Sequence, residues 1–540
     1  MTSSENLLKR VELLTRISTA LSAEQDTNLL LEIILLGAKE LTNADGGSLY
    51  ILEGRNLVFQ LVHTTSLGLH MGGSSGSPVN FPPLPLELAD GSPNLRMVVT
   101  RSVLEDRIIN IPDAYVDREF DFSGTRAFDT RTGYHSRSLL AVPMKDHENR
   151  IIGVLQLINA REEDGATTRV FSSADQGLAA ALASQAAVAL NRRQLIDGLE
   201  NLLRSLTQLI ANAIDDKSHH TGNHCRRVPA ITMALARAVN ADSGDTFGPV
   251  CFDQKQLDEL EIASWLHDCG KMTTPERVVD KSTKLETIFD RIHLVDARLE
   301  ILRLEAEIAR LSNGGAAALV PAAAPLPLEQ IDAIRSFLHR CNTGGEFLSE
   351  KDRHYLAELG RITLPNHAAN GAALLLSEDE IRNLAVPRGT LTEEERQIIN
   401  NHVSVTYRML EALPFPEHLQ NVPLIAAGHH ERMDGKGYPQ GIPAGQLPLQ
   451  TRILAIADVF EALTASDRTY RKANTLSQAL TIMARMCAEG HLDPQLFDLF
   501  VRSEAYRDYA KSHFQAEQHD SVDPSALRTL YSPAPAAGGP

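Results

Sequence analysis

Residues 429–439 read His-His-Glu-Arg-Met-Asp-Gly-Lys-Gly-Tyr-Pro. Neutral imidazole is the commonest metal ligand in proteins, so adjacent His429 and His430 suit two neighbouring ions, each taking one ring. The glycines and proline that follow mark a loop bent back toward the pair. A lone histidine pair is also read as an ordinary satisfied pair on a surface or in a core. A second cluster upstream, His267-Asp268-Cys269-Gly270-Lys271, separates the two readings. It follows Leu260, Ile262, Ala263, Trp265 and Leu266, which read as a buried helix over 257–272. Adjacent side chains on a helix project about 100° apart. The His267 imidazole can then take one ion while the Asp268 carboxylate reaches between two. Such a bridge is what holds paired ions about 3.5–4 Å apart. The alternative for an isolated His-Asp pair on a buried helix is a structural hydrogen bond.

Together the two motifs, HDxGK at 267–271 and HHExxDGxGYP at 429–439, resemble those of the HD-GYP family of metal phosphodiesterases. The second motif matches at every fixed position. The resemblance implies an all-α HD-type domain that hydrolyses the bacterial messenger cyclic di-GMP, or a related cyclic dinucleotide, at two or three divalent ions. It implies a ligand set of His224, His267, Asp268, His402, His429, His430 and Asp458. His224 closes a Thr221-Gly222-x-His224 motif similar to the family's first-helix motif. His402 opens the family's His-x-x-x-Gly, with Thr406 in place of the glycine. His293 is a rival for that place, but the segment bearing His402 leads directly toward His429. Asp458 lies in the apolar stretch 452–464, where an inward carboxylate is costly unless paired or metal-bound. His220 lies four residues before His224 and shares its helical face. It is either a third-metal ligand or a polar residue at the rim.

The resemblance also assigns Lys271 to substrate phosphate, and Asp268 and Lys271 as the catalytic pair. Arg468 and Arg471 suit fork-like contacts to phosphate oxygens, with internal salt bridges as the alternative. Gly437 and Tyr438 either flank the substrate or meet a partner such as a diguanylate cyclase. A donor set of nitrogen and oxygen without sulfur suits Fe or Mn. Two other readings stay open. One is a catalytically degenerate nucleotide sensor or scaffold, for which Thr406 leaves room. The other is an HD phosphohydrolase on another nucleotide, against which the intact Gly-Tyr-Pro loop argues.

These residues need elements to position them. A chain of 540 residues exceeds the roughly 100–200 expected of one domain. Hydrophobic content of 43% and charged content of 22% are ordinary for globular proteins. A net charge of −17 excludes a general nucleic-acid coat and leaves phosphate binding to a local site. No apolar run reaches the ~18 residues of a membrane-spanning helix. The start lacks a signal-peptide pattern, and five scattered cysteines fit reduced thiols in the cytoplasm.

Residues 5–41 read as helix, followed by strands at 48–52, 57–62, 138–144 and 151–159, and a long helix from Ser173. Residues 64–100 read as loop or as an irregular cover over a pocket. The phrases at 110–115, 128–134 and 152–156 resemble a GAF domain. Cyclic-nucleotide-binding members carry Asn-Lys…Phe…Asp-Glu. Here the positions are Asn159-Ala160…Phe171…Asp175-Gln176, with two departures. The α+β GAF sensory domain is therefore expected over 1–190, holding a small molecule or cyclic nucleotide or serving dimerisation. A connecting helix at 173–215 carries Leu195, Leu199, Leu202, Leu206 and Leu209 at coiled-coil spacing. It reads as the stalk of a parallel homodimer or as a helix packed on its own domain. The HD-GYP domain is expected over 211–515, with a helical insertion at about 295–390 and a C-terminal tail at 516–540.

Overall fold

The computed structural model describes residues 3–24, 26–162, 164–165, 167–217, 223–312, 326–345, 347–364, 373–466 and 473–531. His220, Arg468, Arg471, Thr221, Gly222 and the 532–540 tail lie outside the described residues. The chain divides into two compact units, 1–202 and 203–540.

The first unit runs α1 (Ser3–Ala23), α2 (Thr27–Thr42), β1 (Ala44–Glu53), β2 (Asn56–Thr64), β3 (Leu69–Gly72), β4 (Leu84–Pro85), α3 (Val98–Leu104), β5 (Ile109–Ile111), α4 (Ser123–Thr132), β6 (Leu139–Lys145), β7 (Ile151–Arg161) and β8 (Thr168–Arg169), and ends in α5 (Ser173–Lys217). The strands pair antiparallel in the order β3-β2-β1-β7-β6-β5, with β4 on β2 and β8 on β7. Side chains alternate across a pleated strand, and here both faces are covered. Leu49, Leu140 and Leu155 join a core with Ile34, Leu35, Ala183 and Leu190 of α2 and α5. Their neighbours Tyr50, Leu139, Ala141 and Val154 join a second core with Val98 and Val99 of α3. That two-sided burial explains why 151–159 reads as continuously apolar.

Two boundaries differ from the sequence reading. The expected helix over 5–41 is two helices, because the Asp26 carboxylate accepts the Leu29 N–H (3.0 Å) and caps a new start. The first strand begins at Ala44 rather than at residue 48. Asn43 ends α2 in the left-handed region (φ 52°), and the glycines after it enter the sheet instead of a loop. A Cβ on Gly47 would stand 2.8 Å from the Gln156 carbonyl and 2.8 Å from Leu35 Cδ1. Glycine there lets α2 and β7 close on β1.

The second unit is helical. It contains α6 (His224–Ala241), α7 (Gln254–Leu266), α8 (Glu276–Val279), α9 (Ile292–Ser312), α10 (Leu328–Asn342), α11 (Glu350–Leu359), α12 (Glu378–Leu384), α13 (Glu393–Glu411), α14 (Val422–Ala427), α15 (Leu449–Thr464), α16 (Leu476–Ala488), α17 (Pro494–Arg502), α18 (Arg507–His513) and α19 (Pro524–Tyr531). Leu235, Leu260, Ile425, Ile456, Phe460 and Phe500 share its main core. Helices α9 to α12 build a separate small core around Leu299, Ile334, Leu338, Leu356 and Leu384. Thr392 and Glu395 cap α13 reciprocally, Glu395 N–H to Thr392 Oγ1 (3.3 Å) and Thr392 N–H to Glu395 Oε2 (2.9 Å). No described helix is long and apolar enough to cross a membrane.

Gly47→Ala should destabilise the first unit by about 1–3 kcal/mol, the range of an overpacked core. Chemical denaturation followed by circular dichroism measures it, and an unchanged midpoint would refute the close-approach explanation.

Candidate metal centre

Five separate segments deliver the residues of the site. His224 is the first residue of α6. His267 and Asp268 lie just past the end of α7. His402 sits within α13, His429 and His430 just past α14, and Asp458 in α15. The expected helix over 257–272 stops at Leu266, and Lys271 lies in a 3-10 turn at Cys269–Thr273. The cause is contact with α13: a Cβ on Gly270 would come within 1.9 Å of the His402 carbonyl oxygen. His293 is exposed at the start of α9 and does not join the cluster.

Asp268 is 1% exposed, and its two oxygens face different partners. Oδ2 lies 3.5 Å from His224 Nε2 and 3.4 Å from His267 Nε2. Oδ1 lies 3.2 Å from His402 Nε2 and 3.9 Å from His429 Nε2. Asp458 Oδ1 completes the first side, 3.1 Å from His224 Nε2 and 3.8 Å from His267 Nε2. His430 completes the second, with donor atoms of His402, His429 and His430 all within 4.8 Å of one another. The geometry is two ligand groups joined by one carboxylate.

The ring nitrogens facing away from the centre set the protonation of the histidines. His267 Nδ1 donates to the Ser264 carbonyl (2.8 Å), His402 Nδ1 to Ile399 (2.6 Å) and His429 Nδ1 to Ala426 (2.6 Å). A carbonyl only accepts, so each Nδ1 carries the hydrogen and each Nε2 offers its lone pair to the centre. Asp268 Oδ1, His402 Nε2 and His429 Nε2 are buried without a hydrogen-bond partner among the described residues. Acceptors thus face acceptors at 3.2 Å, an arrangement that a cation between them resolves. These residues fit divalent metal.

The electrostatics agree. Burial lowers the His267 and His429 pKa and takes His430 down to about 4, keeping these rings neutral. Burial would raise Asp268, but Lys271 and His267 outweigh it and hold the carboxyl well below its usual range. Asp458 is lowered too, its histidine neighbours outweighing burial. His224 rises to about 10, because Glu461 and Asp458 overcome its burial.

Sequence reasoning passed over three supports. Glu461 is fully buried, pairs with His224 Nδ1, and accepts from Arg227 Nε (2.6 Å). The signal was the spacing Asp458-x-x-Glu461, which puts both carboxylates on one face of α15. Glu431 accepts three loop N–H groups, from Gln440 (2.7 Å), Gly441 (3.1 Å) and Ile442 (3.0 Å), and so folds the Gly-Tyr-Pro loop back. Thr406, in place of the expected glycine, accepts from Gly270 N–H (2.9 Å) and donates to the His267 carbonyl (3.2 Å). It lies one turn beyond His402 on α13, so one helix face supplies a ligand and a clamp on the His267–Gly270 turn.

Around this centre, Lys271 Nζ donates to Asp268 Oδ2 (2.6 Å). The Tyr438 ring stacks on His430 with centroids 4.8 Å apart. Gly437 packs on backbone: a Cβ there would meet Arg432 N at 2.4 Å. Its role in the structure is close approach of the loop to the histidine strand of chain.

Comparison with known proteins agrees with this architecture. Residues 26–190 match the family model described as GAF domain, and residues 354–496 match that described as HD domain. The HD match takes in His402, His429, His430 and Asp458, while His224, His267 and Asp268 precede it. The chain is 32% identical over 191 residues to the cyclic di-GMP phosphodiesterase response regulator RpfG of Xanthomonas campestris, covering 29% of this chain and 50% of that one. It is 41% identical over 115 residues to 3'3'-cGAMP-specific phosphodiesterase 1 of Vibrio cholerae, covering 21% and 26%. It is 35% identical over 149 residues to the cyclic di-GMP phosphodiesterase PA4108 of Pseudomonas aeruginosa, covering 26% and 35%. The chain therefore spans half or less of the length of each of these relatives. The chain thus carries a GAF domain over 26–190 and an HD domain over 354–496, and its paired motifs resemble those of the HD-GYP type.

Proposed function

We propose that this chain is a metal-dependent phosphodiesterase that hydrolyses cyclic di-GMP or a related cyclic dinucleotide such as 3'3'-cGAMP, under the control of its GAF domain. The observation that carries the proposal is the Asp268 carboxylate, with one oxygen toward His224 and His267 and the other toward His402 and His429. The names of the relatives support the substrate class.

In this reading His224, His267 and Asp458 would hold one ion and His402, His429 and His430 another, with the Asp268 carboxylate between the two groups. The nitrogen and oxygen donors favour Fe or Mn. Ions bound there supply charge stabilisation at phosphorus and a nucleophile at neutral pH. The chain's own groups do the rest. Glu461 and the three backbone carbonyls keep the imidazoles aimed inward. Lys271 sits at the edge of the centre with its ammonium on Asp268, placed to meet a phosphate oxygen of the substrate. Tyr438, stacked on His430, offers a ring face to a nucleobase. Arg468 and Arg471 as phosphate forks, His220 as a third-metal ligand and a diguanylate cyclase at the Gly-Tyr-Pro loop belong to the same proposal. So does residence in the cytoplasm, which five cysteines outside any disulfide support.

Homodimerisation through α5 completes the reading. Leu195, Leu199, Leu202, Leu206 and Leu209 are 46–66% exposed at alternating spacings of four and three. An exposed apolar seam of that period suits a coiled-coil partner. Glutamate at both 199 and 206 should convert a dimer to a monomer in light scattering, and a monomeric wild-type chain would remove this part.

Asp268→Ala should remove bound metal and hydrolysis of cyclic di-GMP together, as metal analysis and a turnover assay will read. Turnover retained in that variant would sink the assignment. Thr406→Val keeps the shape and loses both hydrogen bonds, so metal affinity should fall roughly 10–100-fold, the usual effect of an outer partner. Thr406→Ser should restore it. Equal metal affinity in Val, Ser and wild-type chains would make Thr406 a passive replacement for glycine.

A further inference from the structure

The first unit holds a cavity of about 370 Å³ between its sheet and the segments α3, α4 and 81–84. Ligand pockets run to roughly 300–1,000 Å³, so the space suits one small molecule. Its walls are mostly apolar, with rings from Tyr50, Phe59, Phe81, Phe122 and Phe128. Phe81 and Pro82 come from the stretch read in the sequence as loop or pocket cover, and they serve as cover.

The polar groups decide the ligand class. Among the lining residues none is Lys, Arg or His, and the one charged side chain is Asp121. Asp121 accepts the Ser123 N–H (2.9 Å), so the protein's own carboxylate already occupies the start of α4. An incoming phosphate would meet that carboxylate where a helix would otherwise favour an anion. Deeper in the cavity the buried Tyr50 hydroxyl donates to Gln156 Oε1 (2.8 Å), which leaves the Gln156 amide nitrogen as a hydrogen-bond donor for a ligand. The adjoining outer groove contains Arg131, whose guanidinium lies over the Phe128 ring at 5.9 Å.

We propose that this cavity binds an uncharged, ring-bearing, largely apolar molecule with one hydrogen-bond acceptor for Gln156, and that it does not bind cyclic nucleotides. The aromatic walls supply stacking and edge contacts, and burial of a neutral ligand carries no charge-desolvation cost. The proposal stands apart from the catalytic reading, since every residue in it belongs to the first unit.

The test uses the full chain and the neutral naphthalene fluorophore prodan, whose ketone oxygen supplies the acceptor for Gln156. Saturable binding at one molecule per chain is expected, unaffected by cyclic GMP or cyclic AMP at millimolar concentration. Ile158→Trp fills the cavity wall and should weaken binding at least about tenfold, roughly 1.4 kcal/mol. Thr125→Trp fills it from α4 and carries the test if the first variant does not fold. Displacement by either cyclic nucleotide, through Arg131 for instance, overturns the proposal. So does the absence of saturable binding, or wild-type affinity in the folded tryptophan variants, which would place the fluorophore on the exposed leucines of α5.

Discussion

The buried carboxylate of Asp268, set against the lone pairs of His267, His402 and His429, is the constraint around which the second unit is built. His267, His402 and His429 each donate from the outer nitrogen to a carbonyl, so the inner nitrogen has no hydrogen to give. Asp268 Oδ1, His402 Nε2 and His429 Nε2 consequently have no hydrogen-bond partner among the described residues. Unpaired buried acceptors are costly, on the order of a few kcal/mol each. A cation relieves several at once, which couples metal binding to the stability of the packed helices.

The way the rings are oriented follows from where helices stop. The last carbonyls of a helix have no intrahelical N–H to accept. His267 follows the end of α7 and takes the Ser264 carbonyl; His429 follows the end of α14 and takes that of Ala426. Placing the ligand at a helix end therefore satisfies a free carbonyl and sets the tautomer in one step. His224 begins its helix instead and has no such carbonyl behind it. Glu461 takes that place, itself held by Arg227. The carboxylate has a second effect, pushing His224 up to about 10 while burial holds His267, His429 and His430 down.

The first unit shows the opposite economy. Its sheet is covered on one face by α1, α2 and α5, and on the other by α3, α4 and loop segments that leave a cavity. The departures at Ala160 and Gln176 from the nucleotide-binding pattern and the absence of a cation among the cavity's lining residues point the same way. Ionisable side chains crowd the candidate metal centre, whereas Asp121 is the one charged residue lining the cavity.

Local chemistry was legible in the sequence. The HDxGK and HHExxDGxGYP strings, the period-two strands, the long helix from Ser173 and the Thr392–Glu395 cap are properties of neighbouring residues, and neighbouring residues suffice to state them. The break at Asp26 was also local, but periodic leucines on both sides masked it. Other features depend on segments far apart in the chain. The end of α7 at Leu266 and the strand through Gly47 follow from close approach to α13 and to β7. His224 and Glu461 are separated by 237 positions, and Thr406 bonds to Gly270 across 136. Residue types alone thus determined which chemistry was available, because ligation and hydrogen bonding belong to side chains. Only packing decided which oxygen of Asp268 faces which histidines, because those distances arise when separate helices share a core.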